Sequence, residues 1–331
     1  MTAALLRLRG SDWTPYAVLP LLLLLTLPAM TFSTWLTLTV AGIAMGMMLF
    51  LMAAGLTLIF GLMQVFTFAH GAFITLGAYL AVSVLGGLAG WSVADSWWLN
   101  LAVLGVALMV ALVASGAAGY VFERVIIRRV YGAHLRQILI TVGGLIIAEQ
   151  LVVAVWGANP LPLPKPASFR GSIILGAAAI EKYRLIAVAL GLIVYAALQV
   201  TLNRTRVGLL VRAGVENLEM VEALGYRIRR LFIGVFVAGT ALAGIGGVMW
   251  ALYQEVVTRS IGGEMTILIF IILIIGGLGS IGGCFTAAVL VGLVTNYVGF
   301  LAPKLALGSN IVLMMAVLLW RPRGLFPVGA G

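Results

Sequence analysis

Apolar runs long enough to cross about 30 Å of hydrocarbon, roughly 20 residues each, recur ten times along the chain. They cover 16–33, 36–60, 65–87, 97–121, 137–156, 185–202, 231–252, 265–281, 284–302 and 307–320. The pattern predicts an all-α, polytopic integral membrane helical bundle of about 10 transmembrane segments, forming a single transmembrane domain over 1–331. The first span follows Arg7 and Arg9 in the manner of a secretory signal. No convincing small-residue cleavage site follows it and nine further spans do, so it reads as an uncleaved anchor. Two Gly-rich segments, 65–87 and 265–283, fit either ordinary spans or broken or re-entrant helices. Lipid tolerates such backbone only where protein or water surrounds it. An offset of five spans relates spans 2–5 to spans 7–10, and an odd offset inverts one copy in the membrane. Inverted repeats of this kind recur in transporters, with the solute path at their interface.

The polar residues between the spans fix a topology. Fourteen of the twenty Lys and Arg fall in 1–15, 122–136, 203–230 and 321–331, so the positive-inside rule places both termini and these segments in the cytoplasm. The loop 157–184 is then external. Its ANPLPLPKP run holds four prolines, which predicts a rigid, extended excursion. The net charge of +10 is spread between apolar spans instead of gathered on a soluble face, so it expresses topology and not nucleic-acid binding. Composition agrees: hydrophobic residues are 63% and charged residues 9%, where a soluble domain carries about 25% charged.

One polar island stands apart. Residues 203–230, NRTRVGLLVRAGVENLEMVEALGYRIRR, keep a helical apolar pattern. From Val215 to Leu224 the residues Glu216, Glu219 and Glu222 share one side, Leu218, Met220, Val221 and Leu224 the other, and Gly225 follows where a helix would stop. A chain that only sat in lipid would not need this amphipathic helix; one that grips a soluble partner would.

Candidate chemistry is sparse. An ionisable residue at mid-bilayer costs about 2.5–3.5 kcal/mol on insertion scales, which singles out two places. His70, beside Gly71 and after Phe68, opens the third span; Glu149 and Gln150 lie within the fifth. Each fits either a structural hydrogen bond between helices or the lining of a solute path. Gly42-x-x-x-Gly46 and Gly279-x-x-x-Gly283 suit close helix approach. The run GGLGSIGG at 276–283, with Gly276, Gly277 and Gly279, suits a tight turn or a broken helix that exposes backbone. Trp91, Trp97 and Trp98 near Asp95 read as an interfacial belt, and His134 as a solvated residue of a basic turn. The single Cys284 makes neither disulfide nor metal cluster. None of the three lysines, Lys165, Lys182 and Lys304, follows a glycine, so there is no phosphate-binding loop, and HExxH and GxSxG are absent. An intramembrane enzyme is disfavoured. With one acid well inside a span, a proton- or sodium-driven pump has thin support, and energy for uphill transport must come from outside the chain. A passive channel or secondary transporter for a small solute such as urea or an amide shares the hydropathy but has no need of a docking helix.

Residues 55–80, GLTLIFGLMQVFTFAHGAFITLGAYL, with ENLEMVEALGY at 216–226, IFIILIIGGLGSIGGCFTAAVLVG at 269–292, WGANP at 156–160 and WRPRGLFP at 320–327, resemble the membrane subunit of ATP-binding-cassette importers of the branched-chain amino acid class. The resemblance covers nearly all the chain beyond the first span. It implies a bacterial inner-membrane permease that pairs with a related permease subunit, two cytoplasmic ATPase subunits and a periplasmic solute-binding protein. ATP would be hydrolysed by the partners, and this chain would bind no cofactor. Within it, 203–230 becomes the cytoplasmic coupling loop, with Arg212, Glu216, Asn217, Glu219, Glu222 and Gly225 as coupling residues. Phe68, His70, Gly71, Glu149, Gln150, Gly276, Gly277 and Gly279 become candidates for an alternating-access path. One departure matters: many members carry Glu directly after FAHG, and here the position is Ala72. Leucine, isoleucine and valine are therefore not the only solutes in view.

Overall fold

The structure, a computed structural model, describes residues 14–65, 67–131, 133–216, 218–225 and 228–326. Asn217 lies outside the described residues. Its helices are α1 Thr14–Thr26, α2 Phe32–Met63, α3 His70–Gly87, α4 Ala89–Val93, α5 Trp97–Val125, α6 His134–Trp156 and α7 Lys182–Arg204. There follow α8 Arg206–Glu216, α9 Leu218–Ala223, α10 Ile228–Gln254, α11 Ile261–Gly276, α12 Ile281–Leu301 and α13 Ala306–Trp320. Among the described residues, seven helices are long and apolar enough to cross a membrane, and three shorter apolar helices accompany them, so each of the ten expected spans has its helix. The chain is an all-α membrane bundle.

The buried axis is α2, whose middle, from Met47 to Ala54, is almost wholly out of contact with solvent. Its Thr31 N-cap accepts from the Thr34 N–H at 3.4 Å, and it ends at Gln64 in the left-handed region. Small residues let α12 and α10 lie directly on it. A Cβ at Gly46 would fall 2.7 Å from the Val289 Cα, and one at Gly42 2.8 Å from the Leu293 Cα, so the first GxxxG motif is a true seam. By contrast α6 and α7 turn outward: Ile147, Leu151, Val155, Ile193 and Val200 are exposed. In lipid these faces meet acyl chains or a neighbouring protein.

The two glycine-rich segments are interrupted: α3 begins only at His70, and 265–283 is broken between Gly276 and Ile281. Both α3 and α11 are unbroken, but they are short. Their 18 and 16 residues rise about 27 and 24 Å, against about 48 Å for the 32 residues of α2. Each starts on a buried residue, His70 or Ile261. α11 begins at Ile261, four residues before the expected span, and stops at Gly276. The following glycines belong to a turn: Gly277 and Gly279 have φ of 96° and 81°, and Ser280 caps α12 by accepting the Gly283 N–H at 3.1 Å. Gly279 meets Gly61 and Gly283 meets Gly276, so this second GxxxG closes a turn instead of joining two helix faces.

The proline-rich loop also differs from expectation. It does not stay extended but folds onto the bundle. β1 (Leu161–Pro162) pairs antiparallel with β4 (Val256–Val257), and β2 (Ser172–Leu175) forms a hairpin with β3 (Ala178–Glu181). Lys165 holds this cover down, with its Nζ 2.5 Å from Glu181 and 3.0 Å from Glu255. Burial pulls the Lys165 ammonium's pKa down, but its hydrogen bonds and charge attraction to the two carboxylates outweigh this and raise it. At the opposite end of the bundle the described residues of the polar island are helical over α8 and α9, so helix starts at Arg206, well before Val215. α8 is more amphipathic than the spans. The stop at Gly225 holds: its φ is 86° and its N–H bonds the Glu222 carbonyl at 2.9 Å.

Candidate functional site

The two half-helices start from matching backbone. Among the described non-glycine residues, positive φ occurs at Gln64 (51°) and Glu255 (57°). Each ends a long helix, α2 or α10, after which the chain turns back into the bundle. QVFTFAHG (64–71) and EVVTRSIG (255–262) then lead into α3 and α11 in the same register. α3 runs toward the end of the bundle that carries the hairpin, and α11 runs toward the end that carries α8 and α9. Spans 2–5 and 7–10 thus alternate in opposite senses, and their repeats meet where α3 crosses α11.

The crossing is made by Gly71 and Gly262. A Cβ on Gly71 would stand 2.5 Å from the Gly262 carbonyl oxygen, and one on Gly262 would overlap the Gly71 carbonyl. Only glycine allows this approach. Thr75 bridges the pair: it accepts the Gly262 N–H at 3.1 Å and donates to the Gly71 carbonyl at 3.1 Å. Thr266, the matching residue on α11, donates to the Gly262 carbonyl at 2.7 Å.

Beside this crossing the two copies differ in chemistry. On the α3 side, His70 is 1% exposed and its Nε2–H donates to the Met52 carbonyl of α2 at 2.9 Å. Its Nδ1 and the Thr67 Oγ1 are buried with no hydrogen-bond partner among the described residues. The Phe68 N–H donates to Thr141 Oγ1 of α6 at 3.2 Å, and its ring packs on Phe270 of α11 at 5.0 Å. His70 is thus a core residue locked against α2. Ala72 faces α6 in a groove it shares with Gly144 and Ala148.

On the α11 side the charge is open. Arg259 and Glu264 are exposed and Glu149, on α6, is half-buried. The Glu149 Oε1 lies 3.4 Å from where a Gly263 Cβ would sit, which places α6 against the first turn of α11. Among the described residues no ion pair joins Arg259 to Glu149. Ser260 donates to Glu264 Oε1 at 2.7 Å. Along the same helices Ile147, Leu151 and Ile267 are exposed, so both signs of charge appear on an otherwise apolar wall.

The structure thus gathers Phe68, His70, Gly71 and Glu149 around one crossing, with Gln150 exposed on α6. It sets Gly276, Gly277 and Gly279 a whole helix away, in the turn that the C-terminal segment closes by bonds from Leu325 and Phe326 to the Ile275 and Gly276 carbonyls. Sequence reading missed Arg259 and Glu264 because both fall outside the expected span at 265–281 and counted as loop charges. The match of QVFTFAHG to EVVTRSIG was the signal that could have found them. In the polar island, Arg212 and Glu216 lie on α8 and Glu219 and Glu222 on α9. Glu222 is exposed and Leu224 is 69% exposed, while Val221 is buried.

A family profile described as "Branched-chain amino acid transport system / permease component" matches residues 38–319. The chain belongs to this family. It is 26% identical over 291 residues to the high-affinity branched-chain amino acid transport system permease protein LivH of Salmonella typhimurium, covering 86% of this chain and 92% of that protein. To the corresponding permease protein BraD of Pseudomonas aeruginosa it is 26% identical over 301 residues, 86% of this chain and 94% of that one. A probable branched-chain amino acid transport permease protein of Methanocaldococcus jannaschii shares 29% identity over 138 residues, 39% of this chain and 43% of the relative. No solved structure matches the chain.

Proposed function

We propose that this chain is the non-catalytic membrane permease of an ATP-driven importer, passing amino acids of the branched-chain type or closely related solutes across a bacterial inner membrane. The observation that carries the reading is the family match, which runs through nine of the ten apolar helices. In this reading a related permease subunit pairs with the chain, two ATPase subunits dock on the cytoplasmic side, and a solute-binding protein delivers from the other. Both termini face the cytoplasm. The docking element is α8–α9 with Gly225. An amphipathic segment that leaves Leu224 and Glu222 facing solvent has an apolar and an acidic group to offer a protein groove. ATP binding would draw the ATPase subunits together, and α8–α9 would carry that motion into α7 and α10, to which they are joined in sequence.

Replacing Leu224 with Asp and Glu222 with Lys tests the docking assignment. Membrane insertion should be normal, recovery of the ATPase subunits with this chain should fall about tenfold, as the loss of a well-placed anchor implies, and uptake should fall with it. Normal recovery and normal uptake would remove the docking role from α9.

A further inference from the structure

We propose that the groove between α5, α7 and α10 holds one anionic phospholipid, with its acyl chains along the groove and its phosphate between Arg124 and Arg230.

The groove has a volume of about 780 Å³, within the roughly 300–1,000 Å³ of a ligand site. Leu112, Gly116 and Tyr120 line it from α5, and Gly234, Ala238 and Leu242 from α10. The space is real at its centre, since a Cβ on Gly234 would meet nothing within 4 Å. On each helix these lining positions recur every four residues along one face. The next position in each row is an arginine: Arg124 beyond Tyr120, and Arg230 before Gly234. The two helices cross antiparallel, with Gly116 against Val237 and Phe122 stacked on Phe236 at 6.3 Å. Both arginines therefore stand at one end of the groove, the end where α7 stops and α10 starts.

That end has the chemistry of a phosphate site. Arg124 Nη1 donates to the Tyr120 hydroxyl at 2.6 Å, and its guanidinium lies 5.9 Å from the Tyr120 ring centre. The wall of the groove thus holds the charge at its mouth. Among the described residues neither Arg124 nor Arg230 forms an ion pair. Two guanidiniums at the end of an apolar groove suit a ligand with an apolar body and an anionic head. The guanidinium fork matches phosphate oxygens two at a time, and basic pockets between transmembrane helices take lipid headgroups in this way.

The aromatic residues of α5 favour lipid over protein as the occupant. Trp97 and Trp98 open the helix, and Tyr120 lies roughly 35 Å further along its axis, close to the roughly 30 Å of hydrocarbon. Aromatic side chains at both levels form the belt of a lipid-facing helix. Tyr120 marks the depth where headgroups begin, and Arg124 is one turn beyond it.

The test is native mass spectrometry of the complete transporter in mild detergent, titrated with phosphatidylglycerol or with phosphatidylcholine. One phosphatidylglycerol should bind about tenfold more tightly than phosphatidylcholine. Arg124→Gln with Arg230→Gln should abolish that preference at unchanged melting temperature, and Arg124→Lys with Arg230→Lys should keep most of it. Gly234→Phe, which fills the groove without touching either charge, should remove the bound lipid. Equal binding of both lipids by the wild type, a preference that survives the glutamine pair, or lipid binding unaltered by Gly234→Phe would each overturn the site. A photoreactive maleimide on Gly234→Cys that couples to a companion subunit instead of lipid would overturn it too; native Cys284 is 1% exposed and stays unlabelled. None of these measurements reads uptake, so the lipid site and the permease role fail separately.

Discussion

The stretches that begin at Gln64 and Glu255 start alike and point to opposite ends of the bundle, but one is sealed and the other is open. Both begin with a left-handed residue, both re-enter the bundle, and both bring a glycine to the same crossing. Around the first, α2 supplies a carbonyl for His70 and covers it. Around the second, Arg259 and Glu264 face outward. The lesson is that the repeat provides geometry twice, while side chains decide which copy is scaffold and which is surface. His70, the more conspicuous residue in the sequence, sits on the scaffold side.

The comparison breaks most severely at the crossing itself. Gly262→Ala or Gly71→Ala should each cost about 3 kcal/mol, at the upper end for overpacking because the clash is with backbone. Valine at either position should abolish recovery of folded protein. Gly143→Ala, where a Cβ meets nothing within 4 Å, is the control and should leave thermal unfolding in detergent unchanged.

A smaller loss is expected on the sealed side. His70→Ala removes a buried hydrogen bond and leaves a cavity, for about 2–3 kcal/mol, while transport per folded complex stays near wild type. A large drop in transport at unchanged melting temperature would reverse the roles assigned to the two copies. Lys165→Met, at the cover above the open copy, should cost about 2 kcal/mol. That is less than a fully buried pair because Glu255 is 53% exposed. The raised Lys165 pKa gives the sign of its pH dependence: the stabilisation is complete below the ordinary lysine value and is lost only as pH rises through the higher folded value. Between pH 6 and pH 8 this contribution is therefore fully present and constant, so the melting-temperature difference between wild type and Lys165→Met should not change with pH.

The smallest difference separates the two threonines. Thr75→Val should cost about 1 kcal/mol because Thr75 bonds both glycines, whereas Thr266→Val should cost a few tenths, since its bond stays within α11.

Hydropathy alone revealed the ten helices because lipid imposes one requirement on every crossing, and Gly42, Gly46 and Gly225 were readable from spacing. The short helix α11 was harder. Ile261–Glu264 mixes apolar, glycine and acidic residues, so its first turn looked like loop and its charges went unnoticed. The burial of His70 depends on Met52 of another helix, which no local pattern encodes. The folding-back of the proline-rich loop depends on Lys165 meeting Glu255, ninety residues distant in sequence. Arg212 and Glu216 lie on α8 and Glu219 and Glu222 on α9, while Asn217 falls outside the described residues.

The proposed role is that this chain conducts amino acids with force supplied by partner ATPases. The most direct measurement is accumulation of labelled leucine by membrane vesicles that contain the complete transporter and its binding protein, with the membrane potential collapsed and ATP supplied or withheld on the cytoplasmic side. Accumulation only with ATP is the predicted result; equal accumulation without ATP would contradict it.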